Sequence, residues 1–161
     1  MDAAELMTAA LHGPLAAHTL FDFDGVLCEE WYGEEPDLAP GDPLPQDTDF
    51  FRHLTAAATL HIPTRPVLGI VTGRLSRYSE LGLAWLRRHD VVTLRGVWWC
   101  VLWRHSQRAA HPANERKGRV YYDTPEAALF IESRVKHAEV ICKVSGKRVL
   151  CTEDNSIWEP A

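Results

Sequence analysis

Two carboxylates separated by one residue stand near the amino terminus, at the end of a short apolar run. Side chains alternate between the two faces of a strand, so Asp22 and Asp24 are predicted to share one face of a strand over residues 19–24. Gly25 follows and permits a sharp turn where the strand ends. Burying two acids in an apolar core is costly, so we interpret the pair as ligands of a cation or as reacting groups. An ordinary strand whose acids cap the next loop is the alternative.

Polar residues also end two later apolar segments. Residues 66–71 are predicted as a strand followed by Thr72, and residues 127–131 as a strand ending in Glu132. Lys117 lies on a predicted helix just before the second of these strands. Ligands of open parallel sheets bind beyond the carboxyl ends of the strands. We therefore predict that these three side chains and the two aspartates converge on one crevice.

The elements that must position these residues alternate between strand and helix. Helices are predicted from about Thr48, from Ser76, after Pro112 and around Val135. Such alternation implies right-handed crossovers and an α/β fold with a mainly parallel sheet in three layers. With 161 residues, the chain is long enough for a substantial core, and we expect a single domain over residues 1–161.

Residues 28–48 are the one long segment for which we predict neither helix nor central strand. The segment contains four prolines, two glycines and seven acidic residues, with no Lys or Arg. Proline removes a backbone donor and restricts the chain, which disfavours regular structure. We interpret the segment either as a solvated loop or as a small lid whose Trp31 and Tyr32 touch a substrate.

Charge is distributed unevenly along the chain. Residues 1–51 hold twelve acids and no Lys or Arg, whereas residues 52–161 hold ten acids and all seventeen Lys and Arg, so the two parts carry −12 and +7. A net charge of −5 is not typical of a general nucleic-acid-binding protein. The basic part, concentrated in residues 104–119, could still receive a phosphate that carboxylates alone would repel.

Cysteine spacing and hydropathy limit the classes of protein. The four cysteines are scattered and form no Cys-x-x-Cys pair, which favours free thiols in a reducing compartment over a disulfide framework or zinc site. No apolar run approaches the ~20 residues of a membrane-spanning helix, and no basic flank of a secretory signal precedes Arg52. We expect a cytoplasmic protein without membrane contact. The aromatic run over 97–103 is interpreted as core or as an oligomer contact.

Four short motifs together resemble those of the haloacid dehalogenase (HAD) superfamily of phosphohydrolases. They are Asp22-Phe23-Asp24-Gly25-Val26, Val71-Thr72-Gly73-Arg74, Lys117 and Phe130-Ile131-Glu132-Ser133. The resemblance spans residues 19–151. It implies a Rossmann-like HAD fold in which residues 28–48 form at most a small cap.

The resemblance also implies a Mg²⁺-dependent phosphatase that works through an aspartyl-phosphate. Asp22 would be the nucleophile, and Asp24 the general acid and base. The implied metal ligands are Asp22, Asp24 (through its backbone carbonyl) and Glu132; the implied phosphate-binding residues are Thr72, Gly73 and Lys117. The superfamily commonly has Asp where this chain has Glu132, and Lys136 and Arg74 are rivals of Lys117.

Three functions remain open at this point. The first is a phosphatase for a small phosphorylated metabolite, such as a nucleotide or sugar phosphate. The second is a nucleic-acid end phosphatase, suggested by the basic segment and by a likeness of Thr72-Gly73-Arg74 and Ala84-Trp85-Leu86 to polynucleotide kinase-phosphatases. The third is an inactive domain of the same fold that binds a partner. A homo-oligomer in which a neighbouring subunit covers the crevice is compatible with the short insertion.

Overall fold

The structure, a computed structural model, describes residues 1–101 and 112–161, and within them five α-helices alternate with six strands. The helices are Ala3–His12 (α1), Asp49–Ala56 (α2), Ser79–Arg88 (α3), Ala113–Tyr122 (α4) and Val135–Ser145 (α5). The strands are Thr19–Phe21 (β1), Gly69–Leu75 (β2), Val97–Val101 (β3), Leu129–Glu132 (β4), Val149–Cys151 (β5) and Ser156–Trp158 (β6). Short 3₁₀ helices cover Pro14–His18 and Ser76–Tyr78.

The six strands form one sheet in the order β3-β2-β1-β4-β5-β6. The first five run parallel, and β6 pairs antiparallel with β5. The predicted α/β fold with a mainly parallel sheet is therefore confirmed, and it is compatible with a Rossmann-like architecture. The chain builds outward from β1 to β3 and then returns to the other side of β1. The carboxyl ends of β1 and β4 consequently flank the point where the strand order reverses, which is where open α/β sheets bind ligands.

Helices cover both faces of the sheet because the side chains of each strand alternate. Phe21 of β1 lies on the face that packs against α1 and against Trp85 of α3. Leu20, its neighbour, lies on the opposite face with Tyr121 of α4 and Ile141 of α5. The central strands are thus buried on both sides, which explains their nearly continuous apolar sequence.

Several boundaries differ from the sequence-based predictions. A strand was predicted over residues 19–24, but β1 ends at Phe21, so Asp22 and Asp24 follow the strand rather than lie on it. Strand β2 was expected to end at Val71, but Thr72 pairs with Trp99 and Leu75 with Val101, so the strand continues through Leu75 with an irregularity between the two pairs. Strand β6 lies within residues 153–161, for which no strand was predicted. The turn before β6 contains Asn155 at φ 53°, a conformation that Asn tolerates better than most residues.

Residues 29–48 contain neither helix nor strand, as predicted. Their path is held by Arg77, whose guanidinium donates hydrogen bonds to the carbonyls of Leu38 (2.7 Å), Ala39 (3.2 Å) and Asp42 (2.9 Å). Glycine suits the tight turn at Gly41 (φ 90°). The segment is therefore a folded loop that is hydrogen-bonded to the 3₁₀ helix Ser76–Tyr78, directly before α3.

Some sequence-based interpretations concern residues that the structure does not describe. Arg104 and Arg108 of the basic segment, and Trp103 of the aromatic run, lie outside the described residues. In the parts that are described, the helices are all too short or too polar to cross a bilayer.

Candidate active site

Asp22 occupies the position directly after β1, beside β4. Its backbone N–H donates to the carbonyl of Ile131 at 2.9 Å, so it continues the pairing of the two strands. Its carboxylate accepts a hydrogen bond from the N–H of Phe23 at 2.8 Å. The side chain is 8% exposed, at the edge where parallel strands present ligand sites.

Lys117 of α4 joins Asp22 to the end of the neighbouring strand. Its ammonium nitrogen lies 3.1 Å from Asp22 Oδ1 and 3.1 Å from Glu132 Oε2. Glu132 is fully buried, and its other oxygen accepts from the N–H of Ser133 at 3.0 Å. Two buried carboxylates therefore share one ammonium, and His137 Nδ1 lies 3.7 Å from Glu132 Oε1. When both carboxylates are ionised, they outnumber the single ammonium between them.

The pKa values of the three groups reflect this imbalance. Burial and the neighbouring Glu132 carboxylate raise the pKa of Asp22 well above its usual range. Burial also disfavours the charged form of Glu132, but the Lys117 ammonium together with hydrogen bonds from His137, Asp22 and the Ser133 N–H lowers the pKa of Glu132. Burial would lower the pKa of Lys117, but the two carboxylates raise it. A cluster of this kind gains stability from an added proton or an added cation.

Asp24 is engaged by a different pair of residues. Arg74 donates from Nε to Oδ2 at 2.9 Å and from Nη2 to Oδ1 at 2.8 Å, and His53 Nε2 lies 2.7 Å from Oδ1. Burial would raise the pKa of Asp24, but the charge and hydrogen bonds of Arg74, assisted by His53, hold that pKa far below its usual range. The side chain is therefore an ionised carboxylate in this conformation.

The backbone carbonyl of Asp24 lies on the β4 side of the cleft. Ser133 is the residue after β4, and its Oγ lies 3.3 Å from this carbonyl and 3.0 Å from Glu30 Oε2, so its single hydrogen is donated to one of them or shared between them. Gly25 follows at φ 82°, a backbone conformation that favours glycine. The turn thus directs the Asp24 carbonyl and side chain to different partners.

Two of the residues around Asp24 were not predicted as members of its site. Arg74 was weighed only as a phosphate ligand, and its guanidinium in fact lies 3.8 Å above the ring of Phe23 while it binds Asp24. His53 was not singled out. Its signal was present, since it sits three residues after Phe50 on the buried side of α2, where a polar residue interrupts an apolar face.

The predicted phosphate-binding residues occupy different environments. Gly73 lines the cleft. Thr72 is 1% exposed, and its hydroxyl accepts a hydrogen bond from the N–H of Arg74 at 3.0 Å. Among the rival cations, Arg74 is paired with Asp24 and Lys136 is exposed, whereas Lys117 contacts Asp22 directly.

These residues face a cleft of about 740 Å³. Trp31 of the long loop lines it and packs against Phe50 and His53, with ring centroids 5.4 and 5.3 Å apart, whereas Tyr32 is 84% exposed. Acidic groups outnumber basic ones among the described lining residues: the carboxylates are Asp22, Asp24, Glu30, Glu34, Glu35 and Glu132, and the Lys and Arg side chains are Arg74, Lys117 and Arg134. Such a lining favours a cation and disfavours a polyanion.

A second group of possible metal ligands lies beside this cluster. Within the described residues, Asp24, Cys28 and His53 place a carboxylate oxygen, a sulfur and a ring nitrogen within 4.8 Å of one another. Mg²⁺ prefers oxygen ligands, whereas a thiol and an imidazole suit zinc. Arg74 binds Asp24 and lies 3.6 Å from the Cys28 sulfur, so its positive charge opposes a cation there. The Asp22 and Glu132 carboxylates offer the oxygen ligands that Mg²⁺ prefers, with the Lys117 ammonium 3.1 Å from each of them.

No protein-family model matches this chain, and neither the curated proteins nor the solved structures searched yielded a match. Function is therefore inferred from the chemistry of these side chains.

Proposed function

We propose that the protein is a Mg²⁺-dependent phosphatase of the HAD kind, which hydrolyses a phosphate monoester through an aspartyl-phosphate. The observation that carries the proposal is the contact of Lys117 with both Asp22 and Glu132 at the carboxyl ends of β1 and β4. Two buried carboxylates with one ammonium require a further proton or a further cation, because buried charges normally need full compensation.

The residues present fit a magnesium ion. The carboxylates of Asp22 and Glu132 and the backbone carbonyl of Asp24 would hold it, and Mg²⁺ needs few protein ligands because it retains several waters. When bound, the ion keeps Asp22 ionised and offsets the charge of the phosphate. Glutamate at position 132 reaches one methylene further than the aspartate common in the superfamily, and its second oxygen is fixed by Ser133.

Asp22 acts as the nucleophile in the first half of the proposed reaction. Its carboxylate oxygen forms a bond to phosphorus while the bond from phosphorus to the ester oxygen breaks, and the leaving oxygen takes a proton. In the second half, water attacks phosphorus, its proton is accepted by a carboxylate, and the bond to Asp22 breaks to release inorganic phosphate. Lys117 and Gly73 hold phosphoryl oxygens, where positive charge and hydrogen bonds stabilise the transition state.

Asp24 is the proposed proton donor and acceptor. Its ionised state next to Arg74 and His53 suits the second half, in which it accepts a proton from water. The first half requires Asp24 to carry a proton, so its ion pair with Arg74 must open before an alcohol can leave.

A small substrate is favoured over a nucleic-acid end. The excess of carboxylates in the cleft repels a chain of phosphates but tolerates one phosphate bound next to a divalent ion. Steep loss of turnover with added salt would instead indicate a polyanionic substrate, and phosphorylated oligonucleotides belong in the first substrate screen.

Hydrolysis of an aryl phosphate tests the proposal. Wild type is expected to hydrolyse phenyl phosphate with Mg²⁺ and to lose this activity in EDTA, and Asp22→Asn is expected to be inactive. Asp123→Asn is the matched control, because Asp123 is exposed after α4, and it should retain full activity. Equal, background rates for wild type and Asp22→Asn across the screen would reject the enzyme and favour the partner-binding alternative.

A further inference from the structure

Three residues that line the cleft each contain a buried polar atom without a hydrogen-bond partner within the described residues. These atoms are the indole nitrogen of Trp31, Nη1 of Arg74 and the hydroxyl of Tyr78. Arg74 and Tyr78 are 5% and 6% exposed. Leaving a buried donor unpaired costs about 1–3 kcal/mol, and such groups are rare in native proteins. Their concentration in one cleft points to a ligand that supplies the missing partners.

Trp31, Phe50 and Tyr78 form an aromatic wall on one side of this cleft. The Phe50 ring lies between the other two, with centroid distances of 5.4 Å to Trp31 and 5.6 Å to Tyr78. Leu54 of α2 also lines the cleft and belongs to the same apolar cluster. The wall therefore stands in the same cleft as Asp22 and is suited to contact the part of a substrate that leaves.

The three unpaired groups determine which hydrogen-bonding atoms the leaving part of the substrate must carry. An indole N–H and a guanidinium N–H can only donate hydrogen bonds, and a phenol can do so as well. The ligand must therefore present acceptor oxygens. A second anionic group is disfavoured by the acidic lining. Neutral hydroxyl oxygens meet these requirements, and their hydrogens can be donated to Glu34 at the exposed rim.

We propose that the aromatic wall is the leaving-group subsite and that the substrate is the monophosphate of a sugar or polyol. This inference rests on the proposed phosphatase function. The three rings pack against one another in tilted and edge contacts, which provides a packed wall rather than an open slot for a nucleobase. The indole nitrogen and the hydroxyl are shielded from water, so the proposal also requires Trp31 and its loop to shift when the ligand binds.

Binding to a non-hydrolysing protein tests the subsite independently of turnover. In an Asp22→Asn background with Mg²⁺, calorimetry would measure the Kd of glucose 6-phosphate and of phenyl phosphate, whose leaving group lacks further oxygens. Tyr78→Phe and Trp31→Phe are each expected to weaken glucose 6-phosphate about 5- to 10-fold, the effect of one lost hydrogen bond, and to change phenyl phosphate less. Tyr32→Phe, the same substitution at an exposed tyrosine, should change neither.

Stability separates a ligand contact from a structural role. Because the Tyr78 hydroxyl has no partner in the folded protein, Tyr78→Phe should unfold at the same temperature as its parent or higher. A lower Tm together with equal weakening of both ligands would show that the hydroxyl is structural and would overturn the proposal.

The remaining outcomes distinguish this inference from the proposed function. Tyr78-dependent binding of glucose 6-phosphate without hydrolysis by wild type would retain the subsite and reject the phosphatase. Asp22-dependent hydrolysis of phenyl phosphate, together with a Kd of glucose 6-phosphate that is unchanged in Tyr78→Phe and Trp31→Phe, would retain the phosphatase and reject the subsite. Stronger, Tyr78-dependent binding of a nucleoside monophosphate would overturn the polyol assignment.

Discussion

Arg74 binds both carboxylate oxygens of Asp24, with Nε 2.9 Å from Oδ2 and Nη2 2.8 Å from Oδ1. Arg74 lies near the end of β2, Asp24 lies in the turn that follows the adjacent parallel strand β1, and His53 completes the contact from α2. The Asp22 cluster at the same cleft has too little positive charge, whereas Asp24 is fully compensated. The site therefore holds two carboxylates of similar sequence context in opposite electrostatic states, which is the condition for giving them different chemical roles.

Removing Arg74 should destabilise the protein. Arg74→Met leaves a buried Asp24 carboxylate without its main partner, and loss of one member of a buried pair costs about 3–5 kcal/mol. Urea unfolding at neutral pH would measure the free energy of unfolding. Arg87→Met, at an exposed position of α3, is the control and should change it by less than about 0.5 kcal/mol. A similar small loss for both variants would contradict the described pairing.

The stabilising effect of Asp24 should disappear in acid. Its pKa is lowered in the folded protein, so its contribution is fully present above the unfolded value of about 4 and is lost as the pH falls below that value. We expect wild type to be more stable than Asp24→Asn at pH 6, the difference to stay constant down to about pH 4, and the difference to shrink as the pH falls further. Urea unfolding in EDTA at several pH values would check this. A difference that does not vary with pH would argue against an ionised Asp24.

Lys117 should be required for stability as well as for activity. Lys117→Met leaves Asp22 and Glu132 facing each other without the ammonium, and we expect a loss of about 3–5 kcal/mol at neutral pH. Mg²⁺ should restore more stability to this variant than to wild type if the carboxylates bind the ion. Thermal unfolding with and without Mg²⁺ would show this. Lys143→Met, at a lysine whose side chain is 77% exposed, should be neutral in both conditions.

Gly25 and Gly41 form a natural pair for testing the turn after Asp24. Both have a positive φ, 82° and 90°, so alanine is strained at either position by about 1–2 kcal/mol. An added Cβ at Gly25 would lie 2.5 Å from Ser133 Cβ and 2.6 Å from Glu30 Oε2, whereas no atom lies within 4 Å at Gly41. Gly25→Ala should therefore lose clearly more stability than Gly41→Ala. We also expect Gly25→Ala to lose the proposed phosphatase activity. Chemical denaturation of both variants gives the comparison.

The four cysteines should be unreactive in the folded protein. All are free and buried, and burial raises the pKa of Cys100 and of Cys151 to about 11. Because the thiolate is the reactive form, a chromogenic disulfide reagent at pH 8 should react slowly with the native protein and rapidly with four thiols in urea. A fast native reaction would reveal an exposed cysteine.

The sequence was sufficient to predict an element where the residues of that element alone indicate its structure. Asp22 and its strand were predictable because an apolar run that ends in polar residues marks the edge of a buried strand. The helix around Lys117 was predicted as well, with Pro112 at its amino-terminal end. The end of β2 and the presence of β6 were not predicted, since pairing with β3 and β5 decides them and pairing with distant residues overrides local propensity.

The sequence by itself determined the alternating α/β pattern and the placement of acids at the ends of strands, because burial and strand periodicity act between near neighbours. Only the tertiary structure decided the partners of each acid. Asp22 and Asp24 are two residues apart, yet one meets Lys117 from α4 and the other meets Arg74 from β2 and His53 from α2. Electrostatic state depends on distances across the cleft rather than on separation along the chain, so the folded arrangement sets which carboxylate lacks a cation and which one is already paired.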